Sequence, residues 1–238
     1  MWKKNKPGKI QTRACFIASM LLGFSVCAFA LTAHDVENTC PLNGLKFTQL
    51  LPASGTSFGM MLDFRPIGPI SSPWTQAECP EDGLVLYKEF TPEEVRVLAE
   101  YVPATEYQTL RKHAQYWRIA HLQKTLGDPL EERASVLIQA TWEAATPQQY
   151  EEYAKASLEA YQELVATQKD NSSEFVTSQL IIGELHRRLS SFDTAKSVFT
   201  QLQKNAACQK AEICTLIVKQ QLRLIEQKDS GNKEVERQ

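Results

Sequence analysis

Thr91-Pro92-Glu93-Glu94 opens the stretch whose reading decides the fold. The threonine oxygen can accept from the orphan amides of a first helical turn. Proline suits the position after it, where no N–H is needed, and Glu94 can return a hydrogen bond to the threonine amide. The same logic recurs at Asp128-Pro129-Leu130-Glu131 and Thr146-Pro147-Gln148-Gln149. After Thr91 the only glycines are Gly127, Gly183 and Gly231. The pattern predicts helices over 92–102, 105–126, 129–145, 147–168, 173–189, 192–204 and 210–228, and their short links make chain neighbours antiparallel. Tyr107, Leu110, Ala114, Trp117 and His121 recur at three- and four-residue spacing, as do Val136, Ala140 and Glu143, with Trp142 on an adjoining face. Such stripes belong to a core. The polar tail 229–238 is expected to fray.

Upstream of Thr91 the punctuation changes. Pro52, Gly55, Gly59, Pro66, Gly68, Pro69 and Pro73 cut residues 31–90 into short pieces, of which 45–51, 60–64 and 84–90 have the composition of strands. Further upstream, Lys3, Lys4, Lys6, Lys9 and Arg13 precede an apolar run that ends in Ala28-Phe29-Ala30. This is the pattern of an export signal with its cleavage site. The run is shorter than the roughly 20 residues of a spanning helix; a retained anchor and a lipoprotein modified at Cys27, where the bulky Val26 fits poorly, are the alternatives. No later stretch is long or apolar enough to span a bilayer. The expected organisation is a signal peptide over 1–30, a small β subdomain over 31–90, an α-helical domain over 91–228 and the tail. Acidic residues outnumber basic ones, 28 to 26, and loss of the signal widens that excess. A nucleic-acid partner, which needs basic surface, is therefore not expected. Cys15 and Cys27 would leave with the signal. Cys40, Cys79, Cys208 and Cys214 would remain, an even number that favours pairing in an oxidising compartment.

Cys40-Pro41-Leu42-Asn43-Gly44 and Cys79-Pro80-Glu81-Asp82-Gly83 resemble the paired CPxCG turns of a zinc ribbon, each without its second cysteine. A structural zinc site needs four ligands, so the resemblance implies a ribbon that has lost its metal. The two turns of a ribbon face each other, which implies a Cys40–Cys79 disulfide worth about 4 kcal/mol on the chain-entropy model. Zinc held by these thiols with His34 and Asp35 or Asp82, and two free thiols, are the alternatives. Cys208 and Cys214 would sit about 120° apart on a continuous helix. Their pairing therefore requires Cys208 to lie in a turn, which Asn205-Ala206-Ala207 can supply.

Residues 176–204 resemble one tetratricopeptide repeat. Ile182-Gly183 matches the Leu-Gly pair of the first helix, Phe192 the aromatic that opens the second, and Ala195 and Phe199 the small and large residues at the crossing. Gln179 and His186 stand where Trp and Tyr are usual. Most of the chain also resembles a bacterial family, the domain-of-unknown-function 2225 proteins. The matching residues are Cys40-Pro41, Gly44, Phe47, Asp63, Cys79-Pro80, Gly83 and Phe90, then 183–189 before Phe192. Asn43 and Asp82 replace the family's second cysteines. The resemblance implies a mainly α fold, a tetratricopeptide-like helical array carrying a small N-terminal ribbon.

In such a repeat Thr177, Glu184, Arg187 and Arg188 face the concave groove, where a guanidinium fork can hold a ligand carboxylate. A solvated helix face is the plainer reading. No catalytic residue, metal or cofactor is assigned. G-x-S-x-G, H-E-x-x-H and phosphate-cradling glycine motifs do not occur, and His113 and His121 lie two turns apart on the expected helix. The expected function is non-enzymatic: an exported interaction or scaffold module, periplasmic or secreted, that binds a protein or peptide partner in the cell envelope. A secreted factor acting outside the cell and an enzyme with an unrecognised site are the alternatives.

Overall fold

The computed structural model describes residues 31–236. The expected signal peptide, Cys15, Cys27 and the last two residues lie outside them. Three small antiparallel sheets occupy the N-terminal part. β1 (Thr32–Thr39) pairs with β2 (Lys46–Ser54) from Thr39↔Lys46 to Thr32↔Ser54. β3 (Gly59–Met60) pairs with β4 (Pro66–Ile67), and β5 (Ala77–Glu78) with β6 (Val85–Leu86). The expectation for 45–51 matches β2. The first strand was not expected, because its polar residues are mostly exposed and carry no apolar alternation. Residues 60–64 do not form the continuous strand expected there: the chain turns after β3, with Phe64 at φ 64°.

The rest is helical: α1 (Pro92–Tyr101), α2 (Thr105–Leu110), α3 (Gln115–Leu126), α4 (Leu130–Trp142), α5 (Pro147–Val165), α6 (Ser173–Arg188), α7 (Phe192–Leu202), α8 (Ala206–Lys210) and α9 (Glu212–Glu226). Thr91 and Glu94 form both hydrogen bonds of the capping box. Thr146 accepts from the Gln149 amide, and the Gln149 side chain reaches back one residue further than expected, to the Ala145 amide at 3.0 Å. Asp128 does not cap α4. Its carboxylate accepts from the Tyr87 hydroxyl at 2.7 Å and from Lys88 Nζ at 2.8 Å, and two stronger donors outcompete the helix amides.

The helix expected over 105–126 is broken at Arg111–Ala114. Groups distant in sequence cap the new start: the Tyr153 hydroxyl accepts from the Ala114 amide at 3.2 Å and Glu143 from the Tyr116 amide at 2.8 Å. The break frees α2 to clamp the second CP turn. Tyr107 donates to the Gly83 carbonyl at 2.7 Å, Gln108 to Asp82 at 2.9 Å and Arg111 to Glu81 at 3.1 Å. His113 therefore lies outside the helix that carries His121.

From α3 onward, helices pack mainly on their chain neighbours: α3 on α4, α4 on α5, α5 on α6, α6 on α7, and α7 on α9. Gly183 makes the α6–α7 approach close, since a Cβ there would lie 2.4 Å from the Phe199 ring. Two apolar cores result. The first joins Cys40, Cys79, Leu84 and Val85 of the sheets to Leu98, Tyr107, Ile119, Leu122 and Tyr153 of the helices. The second gathers Leu180, Phe199, Ile217 and Ile225 around Leu62 and Val235. The expected boundary at residue 90 thus does not divide the buried interior, because both cores draw on both sides of it. The tail does not fray over 229–236 either. The Lys233 carbonyl accepts from the Leu62 amide, and the Val235 amide donates to Met60, flanking a Met61↔Glu234 bridge. The tail is thereby held beside β3 by an isolated antiparallel bridge.

Candidate functional site

The two CP turns are built alike. In each, the glycine amide donates back to the cysteine carbonyl and the cysteine amide donates to the residue after the glycine, all at 2.9 Å. Gly44 and Gly83 take φ 71° and 76°, a left-handed conformation that favours glycine. Asn43 Oδ1 accepts from the Leu45 amide at 3.0 Å, and Asp82 Oδ1 from the Leu84 amide at 2.9 Å. At these two positions a carbonyl or carboxylate oxygen stands where the ribbon resemblance places a thiolate. The turns face each other, with Cys40 and Cys79 at disulfide distance and their Cα atoms 5.7 Å apart. Cys208 and Cys214 are likewise at disulfide distance, with Cα atoms 5.3 Å apart. Cys208 lies on the short α8, turned out of line with α9, and Asn205 caps that turn. Among the described residues no group of three or more His, Cys, Asp or Glu side chains is disposed to hold a metal ion.

The four residues expected on one groove do not share one surface. Arg187 and Glu184 are both 0% exposed. The Arg187 guanidinium donates to both Glu184 oxygens at 2.8 Å, to Gln221 Oε1 at 2.8 Å, and to the carbonyls of Asp229 and Gly231. Gln221 completes the cluster by donating to Glu184 at 2.7 Å. Burial pushes the Glu184 carboxyl above the usual carboxylate range, against the pull of Arg187. These two residues hold the C-terminal turn in place and offer nothing to a ligand, so their assignment to a groove is corrected. Thr177 is exposed beside a shallow depression of about 260 Å³ between α4, α5 and α6. It lies eleven residues, about 16 Å, from Arg188 along α6.

Arg188 faces a separate and larger open site. A cleft of about 920 Å³ lies between the turn joining α4 to α5, the C-terminal end of α6 and the turn after β3. The Arg188 guanidinium stacks 4.5 Å from the centre of the Tyr150 ring. Its nearest carboxylate, Asp63, is 4.0 Å away, beyond hydrogen-bonding range. Arg188 Nη1, the Trp142 indole N–H and Asn232 Oδ1 are all buried, and none has a hydrogen-bond partner among the described residues. Asp63 is held by the Arg65 amide at 3.1 Å. Burial raises its pKa, outweighing that amide and Arg188. Burial also raises the pKa of the Tyr150 phenol, which stays neutral beneath the cation. Lys155 stands at the exposed rim, paired with Glu151 at 2.6 Å. His186 lines the cleft without a hydrogen bond to any carboxylate among the described residues, and burial lowers its pKa.

Of these residues the sequence offered Arg188, and Asp63 only through the family resemblance. Tyr150, Arg65 and Asn232 carry no local signal, because tertiary packing alone assembles them. A second groove, of about 900 Å³, is apolar and lies between the β3–β4 hairpin and α9, lined by Met60, Pro66, Ile213 and Leu216. Among the described residues no helix is long and apolar enough to cross a membrane. In comparisons with family models, curated proteins and solved structures, nothing matches the chain.

Proposed function

We propose that the chain is an exported, non-enzymatic binding module of the bacterial cell envelope that holds a protein or peptide partner against its helical half. The cleft at Arg188 carries this reading. It is an open site with a cation fixed in its wall. The chain-neighbour packing from α3 to α9 and the close Gly183–Phe199 crossing support a tetratricopeptide-like array. In such arrays rigid helix pairs present a binding surface. The two CP turns joined at cysteine support a ribbon whose cation has been replaced by sulfur, in keeping with the domain-of-unknown-function 2225 resemblance. Cysteine pairs at disulfide distance fit an oxidising compartment, as the N-terminal signal pattern does.

Site-specific photocrosslinking in intact cells tests the reading. A crosslinking residue placed at Lys155, on the rim of the cleft, is expected to capture an envelope protein or peptide. The same residue at Val97, exposed on α1, is expected not to. Capture at neither position, or equal capture at both, refutes the proposal.

A further inference from the structure

Resting on that reading, we propose that the cleft is a carboxylate site, in which Arg188 anchors a carboxylate of a bound peptide and Trp142 and Asn232 read the atoms beside it. A guanidinium and an indole N–H donate and cannot accept. Burying such groups without an acceptor costs the full desolvation of each. Two buried donors without hydrogen-bond partners, on residues that line one cleft, therefore call for an acceptor-only group once their side chains turn to meet it, and a carboxylate oxygen meets that need. The third unpartnered atom, Asn232 Oδ1, is an acceptor. It suits an amide N–H, the group found next to a carboxylate in a peptide and missing from a bare inorganic anion.

The charge balance points the same way. Arg65, Arg188 and Lys155 bring three positive charges to the cleft, and Asp63 and Glu151 bring two negative ones when ionised. One negative charge on the ligand neutralises the site. A phosphate dianion overshoots that balance. Stacking on Tyr150 fixes the plane of the guanidinium, so its fork is set before a ligand arrives and little rotamer freedom is lost on binding. Apolar walls from Ala144, Pro147, Leu158 and Leu189 give the rest of a peptide somewhere to lie. The cleft volume is at the upper end for ligand sites and accommodates several residues.

The Trp142 indole N–H is a reporter unique to the site. Labelled protein spanning residues 31–238 is titrated, with the indole resonances followed by NMR. The probes are propionate, the acetylated pentapeptide Ala-Leu-Ala-Leu-Ala as free acid and as amide, and the amide of the same peptide with a central glutamate. The Trp142 resonance is expected to move saturably with propionate and with at least one carboxylate-bearing peptide, and not with the plain amide. Response to the free acid alone identifies a terminal carboxylate as the ligand, and response to the glutamate peptide identifies a side-chain carboxylate. Arg188→Met is expected to weaken binding about 10-fold to 100-fold, the worth of a charge-assisted hydrogen bond. Arg188→Lys, which keeps the charge and loses the fork, is expected to fall between, with an unchanged far-UV spectrum showing that both variants fold. A Trp142 resonance that ignores every carboxylate probe into the millimolar range overturns the proposal, as does unchanged binding in folded Arg188→Met. Failure of the wider reading looks different: propionate still moves Trp142, yet crosslinking at Lys155 captures nothing.

Discussion

Arg187→Met removes the centre of the buried cluster and leaves a side chain of similar length. The Glu184 carboxyl loses both prongs of the fork, and the carbonyls of Asp229 and Gly231 lose their donors, all at a site where Arg187 and Glu184 are 0% exposed. Removing one partner of a buried ion pair typically costs about 3–5 kcal/mol, because the other is left desolvated and unmatched. For a chain of this size that corresponds to a fall of roughly 6–20 °C in Tm. The damage has a direction. Amide exchange should accelerate first at Leu62 and Val235, whose bonds tie the tail to β3, and only later at Leu122 in the other core. The double variant Arg187→Met/Glu184→Met replaces both charges with apolar volume, and buried pairs so replaced lose little stability. It should recover at least half of the single variant's loss in urea unfolding. A cost below about 1 kcal/mol for Arg187→Met would refute the reasoning, as would a double variant no better than the single one.

Cys40→Ser should lower stability by about 4 kcal/mol, since the two cysteines enclose a sequence separation of 39 residues; non-reducing peptide mapping of the native protein should recover Cys40 with Cys79 in one fragment. Gly183→Ala places a methyl 2.4 Å from the Phe199 ring and should cost about 1–3 kcal/mol, with Phe199→Leu in the same chain restoring part of it. Burial, followed by Lys124, lowers the pKa of His121 from its ordinary 6.5. The unfolded chain therefore takes up a proton first, and the stability due to His121, complete above 6.5, is lost as pH falls through the folded-state value. Thermal melts should show that acid-side loss, and His121→Gln should make it shallower; an NMR titration of the imidazole with its midpoint at or above 6.5 would contradict the assignment.

The helices that start from local chemistry were legible. Thr91, Thr146 and the Gly183 crossing write their roles into a few adjacent residues, and the structure uses each of them. The readings that failed involve partners far along the chain. Asp128 has the identity of a cap, but Tyr87 and Lys88 claim its carboxylate. The pattern through Tyr107, Ala114 and Trp117 is continuous in sequence, yet Tyr153 and Glu143 supply a second helix start and the chain bends there. Polarity hid two further elements, the exposed first strand and the tail, whose order comes from backbone pairing that side-chain character does not encode. The candidate site shows the same division. Arg187 and Arg188 are neighbours of identical type, and nothing local says that one is sealed inside while the next opens to a cleft. That separation follows from where Gln221, Asp229 and Tyr150 arrive, which the helix period alone does not reveal.

The bridge that the tail makes to β3 ties the order of folding to the order of synthesis. The outer edge of Met60–Leu62 waits for Lys233–Val235, made only after α9, while the helices around Ile119 and Tyr153 can already associate. Until then the hairpin offers an unsatisfied backbone edge beside uncovered apolar side chains, the condition in which a nascent chain is most easily held by a chaperone or joined to its neighbours. The segment after α9 thus acts as the latch of the second core, and proteolytic trimming behind Asp229 should unseal that half of the molecule while sparing the half built around Cys40 and Cys79.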